Sequence, residues 1–160
     1  KLNGFDEDLF AHMEEIDYHW KSILNGYDIY VIPKSIIYHR GGETLPYGSY
    51  KKVYLNHRNS LILLLTNHQK LSFNMILKRM LMEDLAGLYY ILTGKFNAFF
   101  AVLRANIWIL MNLKYIKNRR RIIKKYILKD KIISNKLMVP YSIVKKYFLE
   151  KKKEYQNMTQ

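Results

Sequence analysis

Leu9, Phe10, Met13, Ile16, Trp20, Ile23 and Leu24 recur at helical spacing through the opening of this chain, and no other feature constrains the fold as strongly. Side chains three and four positions apart share one face of a helix, so this stripe must be laid against another element. Asp6, Glu7 and Asp8 precede it, where the positive end of a helix dipole favours acids, and Gly26 follows its expected end. At about 100° per residue, Glu15 points away from the stripe, in line with His12 and His19, whereas Asp17 falls at its edge. One amphipathic helix therefore carries carboxylates in different surroundings, the raw material of acid–base chemistry.

The next segments read differently. Asp28 to Ile32 and Ser35 to His39 are short runs rich in β-branched residues, with Pro33 between them, and predict two strands. Gly41, Gly42 and Gly48 mark a loop. A helix is expected from about Tyr50 to Asn67, carrying Lys51, Lys52, Arg58 and Asn59. A second runs from Ser72 to Thr93, with its apolar stripe at Phe73, Ile76, Leu77, Met80, Leu81, Leu85 and Leu88 and a stop at Gly94. A long helix from about Asn97 into Lys125 follows, and Pro140 is placed to open a last short one through Lys151.

The run GFDEDLFAHMEEIDYHWK, followed by Gly26-Tyr27, YVIP and SIIYHRGG, resembles the second half of a family 2 glycosyltransferase catalytic domain over roughly residues 1 to 65. The resemblance implies an α+β, mostly α, fold class. Residues 1–68 would be the acceptor-side, C-terminal part of a GT-A domain, and residues 69–160 a helical, amphipathic, basic extension. It further implies an inverting enzyme of the hexosyl- or deoxyhexosyltransferase kind, working in cell-wall or polysaccharide biosynthesis, with a nucleotide-sugar donor and a glycan or lipid-linked acceptor. The family's acidic pair falls on Glu14 and Glu15. Glu15 takes the catalytic-base position, where many members have Asp, and Asp17 matches a further acidic position. His39 matches a histidine near the metal or diphosphate, and a divalent ion (Mn2+ or Mg2+) is implied, its main ligands in a nucleotide-binding half not contained in these 160 residues. On this reading the chain is a C-terminal fragment, inactive alone. Gly41 and Gly42 would close over the donor, and Lys51 and Arg58 would face its diphosphate. The residues taken by themselves leave plainer alternatives open: surface acids at Glu14 and Glu15, a structural His39, an ordinary turn at Gly41-Gly42, and a solvated cationic face on the helix.

Charge adds a separate constraint. The net charge is +14, and residues 114–160 hold 15 of the Lys and Arg against 3 Asp and Glu. Such asymmetry suits an anionic partner. Between Leu85 and Leu113 the chain is rich in apolar and aromatic residues, but Lys95 and Arg104 interrupt it and no apolar run reaches the ~20 residues of a membrane span. Two readings stand side by side, a helix pair lying in the membrane interface and a helical-hairpin core. On the first, Trp108, Arg119, Arg120, Arg121, Lys124 and Lys125 contact an anionic membrane surface, and the protein sits in the cytoplasm, peripheral to the inner face of the cell membrane. The alternative function is a basic helical module that binds nucleic acid or anchors to a membrane without catalysis. Nucleic acid is the less favoured partner, since no recognition module is present. With no Cys, disulfides, thiolate metal sites and Cys-His catalysis are all excluded.

Overall fold

The computed structural model describes residues 2, 4–38, 44–127, 141, 143–148, 150 and 151. Among these there are helices and no strand: a 3-10 turn at Glu7–Leu9, then α1 (Glu14–Leu24), α2 (Tyr50–Asn67), α3 (Phe73–Leu92), α4 (Phe96–Met111), α5 (Leu113–Lys124) and α6 (Ile143–Phe148). The expected α+β class with a GT-A sheet is therefore corrected to all-α. The two expected strands are absent because strand propensity needs a neighbour to complete it. Among the described residues no strand lies alongside residues 28–38 to pair with them, and Tyr30, Val31, Ile32, Ile36, Ile37 and Tyr38 stand exposed. His39, Gly41 and Gly42 lie outside the described residues, as does Pro140.

α2 is the axis of the molecule. α4 packs along it, α1 and α5 contact its other sides, and α3 lies against α4. The core joins Leu9 to Leu61, Ile62 and Leu63 of α2, to Ile109 of α4 and to Ile116 of α5. Residues on both sides of position 68 thus share one apolar centre. Gly87 of α3 is buried against α4, where an added Cβ would make an ordinary contact with the Phe99 ring at 3.5 Å.

Local chemistry sets the helix ends. Ser49 and Ser72 cap α2 and α3 through their hydroxyls, which accept from Lys52 N and Met75 N. Gly94, at φ +70°, carries the chain from α3 toward α4. The single long helix expected from Asn97 to Lys125 is instead two helices, α4 and α5, bent by 74°. The break is at Asn112, whose side-chain amide donates to the Trp108 carbonyl at 2.8 Å and whose backbone leaves helical geometry. No single described helix is long and apolar enough to cross a membrane; the bent α4–α5 pair qualifies only by length and composition.

A buried polar cluster fastens α3 to α2. Glu83, only 1% exposed, meets His57 Nδ1 at 2.5 Å and pairs with Arg79, which in turn donates to Ser60 Oγ at 2.6 Å. At the end of α2, His68 is buried beside Trp20. Burial pushes its pKa below the ordinary 6.5, against a backbone hydrogen bond at Lys70 and with help from the Arg120 charge. The unfolded chain takes up that proton first, so His68 contributes stability at neutral pH that is lost as pH falls below 6.5 toward the lowered value. The expected result is a melting temperature that drops between about pH 7.5 and about pH 5.5, with a smaller drop in His68→Gln. An identical drop in the variant would remove His68 from that role.

Candidate functional site

The acidic opening is built as a strained turn and not as the start of a long helix. Asp6 Oδ1 accepts from Asp8 N at 3.1 Å and caps the 3-10 turn. The expected continuous helix then fails, because Phe10, His12 and Met13 all adopt positive φ (61°, 66° and 72°), and α1 begins only at Glu14. Non-glycine residues in such conformations persist only where surrounding contacts enforce them, each at a cost on the order of 1–3 kcal/mol. Here α2 supplies the enforcement. The Asn59 amide, fully buried, donates to the carbonyls of Leu9 (2.8 Å), Ala11 (2.9 Å) and His12 (2.8 Å), and Arg58 donates to the Asp8 carbonyl at 2.7 Å.

This arrangement makes Asn59→Ala informative. It removes the donor that the Ala11 and His12 carbonyls have among the described residues and leaves part-buried acceptors behind, at an expected cost of about 1–3 kcal/mol in denaturant unfolding. A change within ~0.5 kcal/mol would mean that the turn holds itself.

Behind the turn, α1 is bolted to α5. Arg119 reaches Asp17 at 2.7 Å, Asp6 at 3.0 Å and Asn67 Oδ1 at 2.9 Å, and also donates to Thr66 Oγ1. Lys21 meets the other Asp17 oxygen at 2.8 Å, and Asn67 donates to Asp17 Oδ1 at 2.7 Å. Burial would raise the Asp17 pKa, but the Arg119 charge and hydrogen bonds from Lys21, Asn67 and Arg119 outweigh it and hold the carboxyl below its ordinary 3.8. Burial likewise works against the Arg119 charge, and Asp17 and Asp6 more than compensate it.

Asp17, expected as a second catalytic acid, is therefore a fully ion-paired interior group with no access to solvent. Glu15 stands exposed in the first turn of α1, and Glu14 beside it is half-buried with its Oε2 unpartnered. The structure thus separates the three acids by burial: Asp17 is enclosed, Glu14 is half-buried and Glu15 is open to solvent.

Lys51 and Arg58 come together in a cleft of about 540 Å3 that also takes in Asp8, Phe10, Tyr50, Tyr54, Leu55 and Arg104. Lys51 sits 4.4 Å from the Phe10 ring, Arg104 5.0 Å from Tyr54, and Arg58 5.5 Å from Tyr54 and 5.2 Å from Trp108. Such stacking holds guanidinium and ammonium groups in place, and Arg58 is fixed further by donating to Asn59 Oδ1 at 2.9 Å and to the Asp8 carbonyl. Arg104 has no counterpart among the sequence-derived candidates. Its signal was there, as a lone cation breaking an apolar helix, and Tyr50, Tyr54 and Arg58 already share one face at four-residue spacing.

The residues expected at a membrane are divided by the structure. Trp108 packs against the core and the Tyr115 ring, 5.5 Å away. Arg119 is the buried bolt, and Arg120 is spent on the carbonyls of Leu65 (2.8 Å) and Gln69 (3.3 Å). Only Arg121, Lys124 and Lys125 of that set are exposed. Among the described residues no three His, Asp or Glu side chains converge, and His39, the one metal-proximal candidate in this chain, lies outside them. No family model, curated protein or solved structure matches the chain.

Proposed function

We propose that this chain is the acceptor-side part of an inverting glycosyltransferase, in which Glu15 removes the proton from an acceptor hydroxyl and the Lys51–Arg58–Arg104 cleft holds a phosphate-bearing group. The observation that carries this reading is the enforced turn before α1. Three positive-φ residues held by Asn59 and Arg58 connect one wall of the cationic cleft directly to the turn that presents Glu14 and Glu15. Strain maintained by dedicated hydrogen bonds, next to solvent-accessible acids, is what a positioned acid–base group requires.

In the reaction, the acceptor oxygen attacks the anomeric carbon as its proton passes to the Glu15 carboxylate. The bond from that carbon to the nucleoside diphosphate breaks, and the departing diphosphate carries away the electron pair. Cations near the phosphates stabilise charge that grows during departure, and are worth most where fixed in advance. Asp17 and Arg119 take no part in the chemistry; they keep α1 in register.

The test is sugar transfer from a nucleotide-sugar donor by a polypeptide that holds these residues together with a nucleotide-binding part. Lys51→Gln combined with Arg104→Gln is expected to weaken nucleoside diphosphate binding roughly tenfold or more and to lower transfer with it. Both side chains are partly or fully solvent-facing, so the fold should survive. Unchanged diphosphate affinity would remove the cleft from the reaction. Duplex DNA binding in the absence of any sugar transfer would favour the nucleic-acid alternative.

A further inference from the structure

The outer sides of α3 and α4 have no partner among the described residues. On α4 the exposed residues Phe96, Phe100, Leu103, Ile107, Leu110 and Met111 form a stripe at helical spacing, opposite the buried Ala98, Ala101, Val102, Ala105 and Ile109. α3 does the same with Phe73, Leu77, Leu81, Leu85, Leu88 and Leu92, while its buried positions are only Glu83 and Gly87. A water-facing hairpin would carry its polar residues there. An apolar surface of this extent marks an interaction site.

Charge says what covers it. From Leu85 to Lys129 the sequence has no Asp or Glu, and Lys95, Lys114, Lys117, Arg121, Lys124 and Lys125 are exposed along or beyond the stripe. Asp84 is the one exposed acid on the described part of α3 to α5. A second copy of a chain with net charge +14 would be repelled at such a face, whereas an anionic leaflet would be attracted. No single described helix is long and apolar enough to span, and an apolar stripe along one side of each helix suits burial in the interface. We propose that the outward faces of α3 and α4 are a docking surface that lies flat on an anionic lipid bilayer, with Lys95 and the exposed cations of α5 meeting the headgroups. The proposal is independent of glycosyl transfer and moves membrane contact from the expected Trp108, Arg119 and Arg120 to other residues.

Vesicle co-sedimentation of the whole 160-residue chain tests it without any turnover. Binding is expected to vesicles with about one-third phosphatidylglycerol, to fall at least about tenfold on neutral phosphatidylcholine vesicles, and to weaken as salt rises above roughly 0.1 M. Two variants sample the two ends of the hairpin, Leu92→Gln with Phe96→Gln and Leu110→Gln with Met111→Gln. All four side chains are already exposed, so circular dichroism and melting should be preserved. Each pair is expected to weaken binding by about tenfold, because a flat orientation buries both ends. A Trp placed at Leu110 should be quenched by brominated acyl chains, above the signal of Trp20 and Trp108, while one placed at the exposed Asn56 of α2 should not. Absent vesicle binding overturns the proposal, as does binding untouched by both variants. Loss from one pair only would overturn the flat orientation. A self-associated chain that the same substitutions dissociate, without vesicle binding, would show that a second copy covers the face.

Discussion

Arg119→Met is expected to destabilise the fold by about 3–5 kcal/mol, the usual consequence of removing one partner from a buried ion pair. The substitution keeps much of the side chain's apolar bulk, so the loss reports on charge. Asp17 would remain fully buried with only Lys21 and Asn67 to answer it, and Asp6, Thr66 and Asn67 would each lose a donor. For a domain of this size that corresponds to a melting temperature lower by roughly 6–20 °C. Adding Asp17→Asn should recover much of the loss, because the unpaired buried charge is then gone; a double-mutant cycle by urea unfolding measures the coupling. A single-variant cost below ~1 kcal/mol would mean that the network contributes no more than a surface pair. The pH dependence has the matching sign. Asp17 titrates below 3.8 in the folded chain, so its contribution is complete above that value and is lost as pH falls through the lowered pKa.

Glu15→Gln is expected to reduce sugar transfer by about 10²–10⁴-fold while leaving nucleotide-sugar affinity nearly unchanged. The amide matches the carboxylate in shape but cannot accept the acceptor's proton. Glu15 is exposed at the first turn of α1, so the variant should fold and melt like the parent, and a lost rate can be assigned to chemistry. Steady-state rates and donor binding, measured on the same preparation, separate the two effects. Retention of more than about a tenth of the parent kcat would move the base role to Glu14 or end the mechanism. Asp17 is not available as the substitute, since its carboxylate is fully enclosed by cations.

The helical part of the fold was largely legible because its determinants are local. The span predicted from Tyr50 to Asn67 coincides with α2, and that from Ser72 to Thr93 with α3 and its two flanking caps. Each is written in hydrophobic period, a Ser cap or a terminal Gly within a few residues of the helix. The position of Asp17 at the edge of the first stripe was equally readable, and that edge is the side turned inward. The two strands were not decided locally. Their β-branched composition stated a propensity, and only a pairing partner could have turned it into a sheet.

The charges divide in the same way. The strongly basic last third and the acidic opening are matters of composition alone. Composition did not say which cation is buried, since Arg119, Arg120 and Arg121 are chemically alike and adjacent. Helical geometry turns each about 100° from the next, so one faces Asp17 across the core, one reaches the end of α2, and one faces water. Arg104 likewise became part of a cationic cleft only when α4 packed along α2 and brought it to Tyr50 and Tyr54. Periodicity and capping fix the helices because they act over a single turn. Tertiary packing alone decided which acid is locked away, which acid is left to solvent and which apolar stripes remain uncovered, because those outcomes depend on contacts between residues some 50 to 100 positions apart.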